Sequence, residues 1–302
     1  MKHTDILVIN PGSTTTKIAV FRDMKVLFEE TITHDPAKLK EMGDIFGQME
    51  FREELIRETL RERGYDVKDL SAAVGRGGMI VGLCGGGYRV TPKLCQAMRN
   101  PDNPPHASSM GAELAYNIAR PLGIPSFIYD STMGCELTEV AKITGLEGIE
   151  RYGCCHVLNS RAQAMKYALA QGKRYEELNL IVAHLGGGIS VSAHQNGKII
   201  DDSTYDTGPM APERTGGIPL ILWTKLCFSG KYTESQVEKL ISGRGGLVSY
   251  LGVTDCREVE DMIEDYAGHI GKFVIMPGEN ELEALASGAD RILRGQEEGR
   301  IY

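Results

Sequence analysis

The chain has 302 residues, 42% hydrophobic and 25% charged, with 33 Lys and Arg against 41 Asp and Glu and a formal net charge of −8. That balance supplies no basic face for nucleic acid, and the length accommodates two domains with full cores. Seven cysteines without paired or metal-ligand spacing read as reduced thiols of a cytoplasmic protein, not a disulfide frame or zinc site, and no apolar stretch reaches the length of a signal peptide or membrane span.

The first 35 residues predict three strands in a meander. The apolar run Ile6-Leu7-Val8-Ile9 leads into the loop Asn10-Pro11-Gly12-Ser13-Thr14-Thr15. A second run follows from Thr16, then the polar turn Arg22-Asp23-Met24-Lys25 and a third run from Val26. Residues 37–64 place Ile45, Met49, Leu55, Ile56 and Leu60 at helical spacing. A short strand over 70–74 enters Gly75-Arg76-Gly77-Gly78, and residues 106–119 read as a helix. The strand expected over 126–130 puts Asp130 at a loop, where ligand sites of α/β folds gather. Residues 138–143 and 159–171 read as helical, the second Ala-rich and ended by Gly172. Residues 178–202 then repeat the opening layout: an apolar run to His184-Leu185, the loop Gly186-Gly187-Gly188, a second run, the turn Gln195-Asn196-Gly197-Lys198 and the run Ile199-Ile200. Strands alternating with helices imply a mixed α/β fold. A strand–glycine loop–strand unit recurring half a chain later implies two related lobes, each presenting a glycine loop to something shared.

The 36 glycines cluster at 75–87, 186–188, 208–217 and 243–246, which marks working loops. The segment Asn10-Pro11-Gly12-Ser13-Thr14-Thr15-Thr16-Lys17 is either a plain hairpin loop or a phosphate loop with hydroxyl donors. Its recurrence at His184-Leu185-Gly186-Gly187-Gly188 favours phosphate, because backbone amides of such loops bind anions. Neither a Rossmann fingerprint nor a Walker pattern is present. Arg76, Arg214 (in Glu213-Arg214-Thr215-Gly216-Gly217) and Arg244 each stand among glycines. Each is either a solvated loop arginine or a bidentate ligand for carboxylate or phosphate, and the sequence does not separate the three. His156, after Cys154-Cys155, is either a structural donor or a catalytic group. Glu279, Glu281 and Glu283 also suit the first turn of a helix.

These segments, with His106-Ala107-Ser108-Ser109-Met110-Gly111, His156-Val157-Leu158-Asn159 and Pro277-Gly278-Glu279-Asn280-Glu281, resemble the acetate and butyrate kinase family, and the butyrate kinase branch most. That family lies in the superfamily that also holds sugar kinases and actin. The resemblance implies two actin-like (ribonuclease H-like) lobes with mixed β-sheets flanked by helices: residues 1–158 with 282–302, and residues 159–281. It implies transfer of the ATP γ-phosphate to a short-chain carboxylate, butyrate or a branched acid, giving an acyl phosphate and ADP reversibly. ATP and Mg2+ are the implied cofactors and a homodimer the implied assembly. By the same resemblance, Asn10 and Glu281 organise Mg2+ and phosphate. Gly12, Ser13, Thr14, Thr15, Lys17, His184, Gly186, Gly187 and Gly188 serve the nucleotide. Arg76 and Arg214 hold the carboxylate and the transferring phosphoryl group, His156 stabilises transition-state charge, and Asp130 orients the site near the metal.

The chain departs from the family pattern in the second lobe. One helix–strand–helix unit, several tens of residues by ordinary element lengths, is missing near 266–270, where the family holds adenosine. The run Asp130-Ser131-Thr132-Met133-Gly134-Cys135-Glu136 is less apolar than the family's acyl pocket, and the loop at 202–210 is shorter. Two other readings therefore stand beside an active kinase: an impaired relative that binds or dimerises without turnover, and a sugar kinase of the same superfamily. The second fits the arginine pair less well, since a sugar hydroxyl calls for an aspartate base.

Overall fold

In the computed structural model, residues 3–203, 206–252, 274, 276, 278 and 280–302 are described. The chain divides into two compact units, Met1–Gly134 with Asn280–Tyr302, and Cys135–Glu279.

The first unit opens with the expected meander: β1 (Asp5–Pro11), β2 (Thr15–Arg22) and β3 (Lys25–Thr33). All seven residues of β1 are buried: antiparallel β2 and parallel β4 (Ala72–Arg76) line its edges, and helices pack on it. A continuous apolar run is what a strand covered on both faces requires. Helices α1 (Pro36–Glu41) and α2 (Met49–Glu62) connect β3 to β4. Asp35 starts α1 by accepting from the Ala37 amide at 2.8 Å, with Pro36 in the first turn, the usual N-terminal signals. Then follow β5 (Gly87–Arg89), α3 (Pro92–Met98), α4 (Met110–Ala119) and β6 (Ser126–Tyr129). The sequence reading missed β5 and α3, since three residues carry no period and α3 is only two turns long.

The second unit begins with α5 (Glu139–Lys142) and α6 (Val157–Ala170), followed by the antiparallel strands β7 (Leu180–Leu185), β8 (Ile189–Gln195) and β9 (Lys198–Asp202). Among the described residues, three short helices follow: α7 (Leu220–Cys227), α8 (Glu234–Ile241) and α9 (Leu247–Leu251). The chain returns to the first unit through α10 (Glu281–Leu293) and β10 (Arg300–Ile301). The first sheet runs β10-β5-β6-β4-β1-β2-β3, mixed in direction. Its core joins Leu7, Ile9, Ile18 and Val20 to Ile56, Leu60, Met110, Leu114 and Ile118 from α2 and α4, while α10 also packs on β1, β4 and β6. This is the mixed α/β architecture that the alternation of elements predicts.

The boundary between units differs from the expected one. Residues 135–158 pack within the second unit, where the Glu136 and Thr138 amides donate to the Ile199 and Ile200 carbonyls at 2.8 and 3.0 Å and the Cys154 amide donates to Asp202 Oδ2 at 2.9 Å. Such edge pairing to β9 has no sequence signature. The gap placed near 266–270 and Glu279 lie outside the described residues.

The two meanders match in detail. Each second hairpin closes on a two-residue turn with both residues left-handed: Asp23 and Met24 at φ 48° and 63°, Asn196 and Gly197 at 52° and 75°. Each also carries a register shift just before the turn, at Val20/Phe21 and Ala193/His194. This is the twist-matched geometry of tight hairpins, and it strengthens the duplication beyond the glycines.

Candidate functional site

In the first unit, parallel pairing assembles the candidate residues. Ile9 pairs with Gly75, and Arg76 with Tyr129, so β1, β4 and β6 end side by side at Asn10, Arg76 and Asp130. Glu281, the first residue of α10, completes the group. Its Oε2 accepts from Asn10 Nδ2 at 2.8 Å and from Arg76 Nη1 at 2.6 Å. Arg76 Nη1 is also 3.4 Å from Asn10 Oδ1, and its buried Nε has no partner. Glu281 thus has both the role its helix position suggests and a polar one, whereas Glu283 is exposed in the first turn.

The glycines around Arg76 are there for contact. A Cβ on Gly75 would lie 1.9 Å from the Gly111 carbonyl oxygen, and one on Gly77 would lie 2.5 Å from the Ser131 amide nitrogen. Backbone against backbone, with no side chain between, brings α4 and the 130–131 turn onto the end of β4. Asp130 itself is buried at φ 46°, a left-handed conformation uncommon outside glycine. It is held by a reciprocal pair: its amide donates to the Gly86 carbonyl at 3.1 Å, and its Oδ1 accepts from the Gly86 amide at 2.7 Å.

The loop at 12–15 is a tight turn, the Gly12 amide donating to the Thr15 carbonyl at 2.8 Å. Ser13 and Thr14 are exposed, Thr15 and Lys17 half-buried. Beneath it sits a residue that sequence reasoning missed. Arg52, 1% exposed, donates to the Ser13 and Thr15 carbonyls and to Thr16 Oγ1 at 2.9–3.0 Å, and to Gln48 Oε1. Burial lowers its pKa to about 10, so it remains a cation at neutral pH. An arginine inside an amphipathic helix reads as a surface residue, so no sequence signal marked it.

In the second unit, His156 stands at the N-terminal boundary of α6 and its ring stacks on that of His184, centroids 3.8 Å apart and 10° from parallel. His156 Nδ1 lies 2.9 Å from Ser190 Oγ, and Asn159 Nδ2 donates to His184 Nδ1 at 2.8 Å. His184 Nε2 lies on the side of Gly186. Asn159 closes the segment His156-Val157-Leu158-Asn159, whereas Ser190 lies inside a strand run that gives it no role. The three-residue step from His156 to Asn159 along a helix face was the available signal.

Leu185 pairs with Ile189, so Gly186-Gly187-Gly188 is the β7–β8 hairpin loop. Arg214 lies directly over it: a Cβ on Gly188 would meet Arg214 Nη1 at 2.5 Å and Cζ at 2.7 Å. The Arg214 backbone is fixed by the Ala211 amide, which donates to its carbonyl at 3.0 Å, and by a bridge to Ser242. Arg244 is exposed. The second unit therefore presents a guanidinium, two imidazoles, a glycine loop and the positive end of a 14-residue helix, a set suited to anionic oxygen.

Residues 139–273 match the sequence profile described as the Acetokinase family. The chain is 37% identical to the "probable butyrate kinase" of Listeria innocua over 352 aligned positions, covering 99% of each chain. It is 38% identical to the protein of that name from Clostridium botulinum, covering 98% of this chain and 99% of that one. Because 352 exceeds 302 by 50, at least 50 aligned positions are gaps opposite this chain. Among solved structures, Porphyromonas gingivalis acetate kinase superposes with a TM-score of 0.66 at 21% identity, over 87% of this chain and 74% of that one. A propionate kinase from Francisella tularensis gives 0.64 at 16% identity, over 97% and 79%. At those identities the structural likeness is one of fold.

Proposed function

The chain belongs to the acetate kinase family of carboxylate kinases, and from that premise we propose that it phosphorylates butyrate or a branched short-chain acid with ATP and Mg2+, reversibly. The observation that carries the choice of acid is the set of relatives at 37–38% identity along nearly the whole chain, each named a probable butyrate kinase.

A carboxylate oxygen attacks the γ-phosphorus, the bond to the β–γ bridging oxygen breaks, and its electron pair leaves with ADP. The carboxylate is already ionised at neutral pH, so no strong base is needed. Repulsion between two anions is the obstacle, and fixed positive groups lower it. In the first unit, Asn10 and Glu281 offer amide and carboxylate oxygens, hard donors that fit Mg2+. That ion, when bound, neutralises phosphate charge. The unpartnered Nε of Arg76 leaves its guanidinium a donor for carboxylate or phosphoryl oxygens, and Asp130 fixes the turn beside it. The exposed Ser13 and Thr14 hydroxyls serve the phosphates. In the second unit, the 186–188 loop and His184 take nucleotide phosphate, His156 donates to developing negative charge, and Arg214 holds an anionic oxygen from its seat over Gly188.

The test is hydroxamate trapping of acyl phosphate from ATP, Mg2+ and butyrate, isobutyrate or acetate. Butyrate or isobutyrate should give the largest kcat/KM, and absence of product above blank overturns the proposal. The 50 or more gapped positions favour a second reading, a binding or dimerising relative without turnover. Calorimetric titration with Mg–ATP separates the two, since tight nucleotide binding excludes a relative that has lost its adenosine-binding segment.

A further inference from the structure

Chemistry that the proposed reaction does not use lies within the second unit. Cys135 stands at its start, Cys155 immediately precedes His156, and Asp202 ends β9. Cys135 Sγ is 3.6 Å from Cys155 Sγ and 3.4 Å from Asp202 Oδ2. The donor atoms of all three lie within 4.8 Å of one another, the one such group among the described residues. Cys155 and Asp202 are buried, and Cys155 packs with Val157 and Ile199. Asp202 Oδ2 also accepts from the Cys154 amide, while its Oδ1 is buried without a hydrogen-bond partner. The spacing 135, 155, 202 matches no metal-ligand pattern, which is why the cysteines read as plain thiols in the sequence.

We propose that Cys135, Cys155 and Asp202 bind a thiophilic divalent cation of the zinc class, with water as fourth ligand. An ion holding sulfur at about 2.3 Å and carboxylate oxygen at about 2.0 Å in tetrahedral geometry sets a sulfur–sulfur edge of about 3.8 Å and a sulfur–oxygen edge of about 3.5 Å. The two edges at Cys135, 3.6 and 3.4 Å, come close to these values, and the third lies within 4.8 Å. A disulfide would instead draw the two sulfurs to about 2.05 Å and leave Asp202 without a role. Coordination forms two metal–sulfur bonds and one metal–oxygen bond, and the two thiol protons go to solvent. Soft thiolates discriminate against Mg2+, so the site is separate in chemistry from the oxygen donors Asn10 and Glu281. Two thiolates and a carboxylate around a dication leave one negative charge. Arg151 lies beside it, donating to the Asp202 carbonyl and pairing with Asp201 at 3.0 Å. Because Cys155 adjoins His156, the ion would fix the start of α6 and the histidine stack. The inference does not depend on which acid, if any, is phosphorylated.

The test is titration of the reduced, chelator-treated full chain with Co2+ in excess Mg2+. One cobalt per chain is expected, with thiolate-to-cobalt charge-transfer absorption and the intense visible bands of a tetrahedral ion, displaced by one equivalent of Zn2+. Cys135→Ser, Cys155→Ser and Asp202→Asn should each weaken binding at least about tenfold, while Asp202→Glu retains it in part and Cys227→Ser leaves it unchanged. The wild-type spectrum alone tests the proposal if a variant fails to fold. Absence of the charge-transfer band, its persistence in both cysteine variants, or a Cys135–Cys155 disulfide recovered from cobalt-treated protein overturns it.

Discussion

A single missing methyl group decides where Arg214 sits. Gly188 leaves the space that the guanidinium occupies, whereas a Cβ on Gly187 meets nothing nearer than 4.0 Å. Gly188→Ala should therefore displace Arg214 and lower kcat by about 10²-fold in the hydroxamate assay. Wild-type turnover in Gly188→Ala would remove the role given to Arg214. Arg76 makes a different prediction, because it neutralises Glu281 at 2.6 Å. Arg76→Ala should lower kcat by about 10²-fold or more and also cost about 1–3 kcal/mol in urea unfolding, since Glu281 loses a charged donor in a half-buried setting. Unchanged turnover would refute the assignment. The sequence placed three arginines among glycines but could not rank them, because identical neighbours in the chain say nothing of what lies across the fold. Arg76 and Arg214 meet partners from distant segments, and Arg244 meets solvent.

At the level of elements, the paired hairpins show how much of the fold was legible. The alternating runs and polar turns around Asp23-Met24 and Asn196-Gly197 marked both meanders. Short β5 and the stacking of His156 on His184 left no such mark, since both depend on partners far away in sequence. The hairpins are also unequal. The left-handed second turn position holds glycine at 197 but methionine at 24. Met24→Gly relieves a left-handed cost of about 1 kcal/mol against about 0.5 kcal/mol of added unfolded-chain entropy, so a net gain of about 0.5 kcal/mol in urea is expected. A loss of stability would show that the Met24 side chain contributes packing that outweighs the turn.

The elements also bury two histidines, and these set a pH dependence. His34, after β3, lies 2.8 Å from Thr16 Oγ1. His194, in β8, lies between Tyr175 and Ser192. Burial first, then the charge of Arg52 or Arg161, lowers each pKa from 6.5 to about 4. Between those values the unfolded chain binds protons that the folded chain does not. Stability should be flat above pH 6.5 and fall as pH drops from 6.5 toward 4, on the order of 1–3 kcal/mol per histidine. Imidazole resonances of His34 and His194 that titrate near 6.5 in the folded protein would contradict this.

For the whole molecule, the described residues leave Leu220, Ile221 and Leu222 of α7 and the neighbouring Phe228 61–87% exposed, large apolar side chains of the kind that gather at interaction surfaces. Together with the dimer that the family resemblance implies, this predicts a solution mass of twice 33.1 kDa by light scattering. A monomer at micromolar concentration would count against it.

The sequence by itself determined the mixed α/β class, the duplicated meander, the glycine loops and the family, because each is written in local periodicity or in short motifs that backbone geometry enforces. The tertiary structure decided which charged groups meet: Glu281 with Asn10 and Arg76, Arg52 beneath the 12–15 loop, Arg214 over Gly188, and two thiols with Asp202. It also moved residues 135–158 into the second unit. Each of these joins residues distant in sequence or hidden in an ordinary helix. Their proximity comes from strand order and helix packing, which local spacing along a chain does not encode.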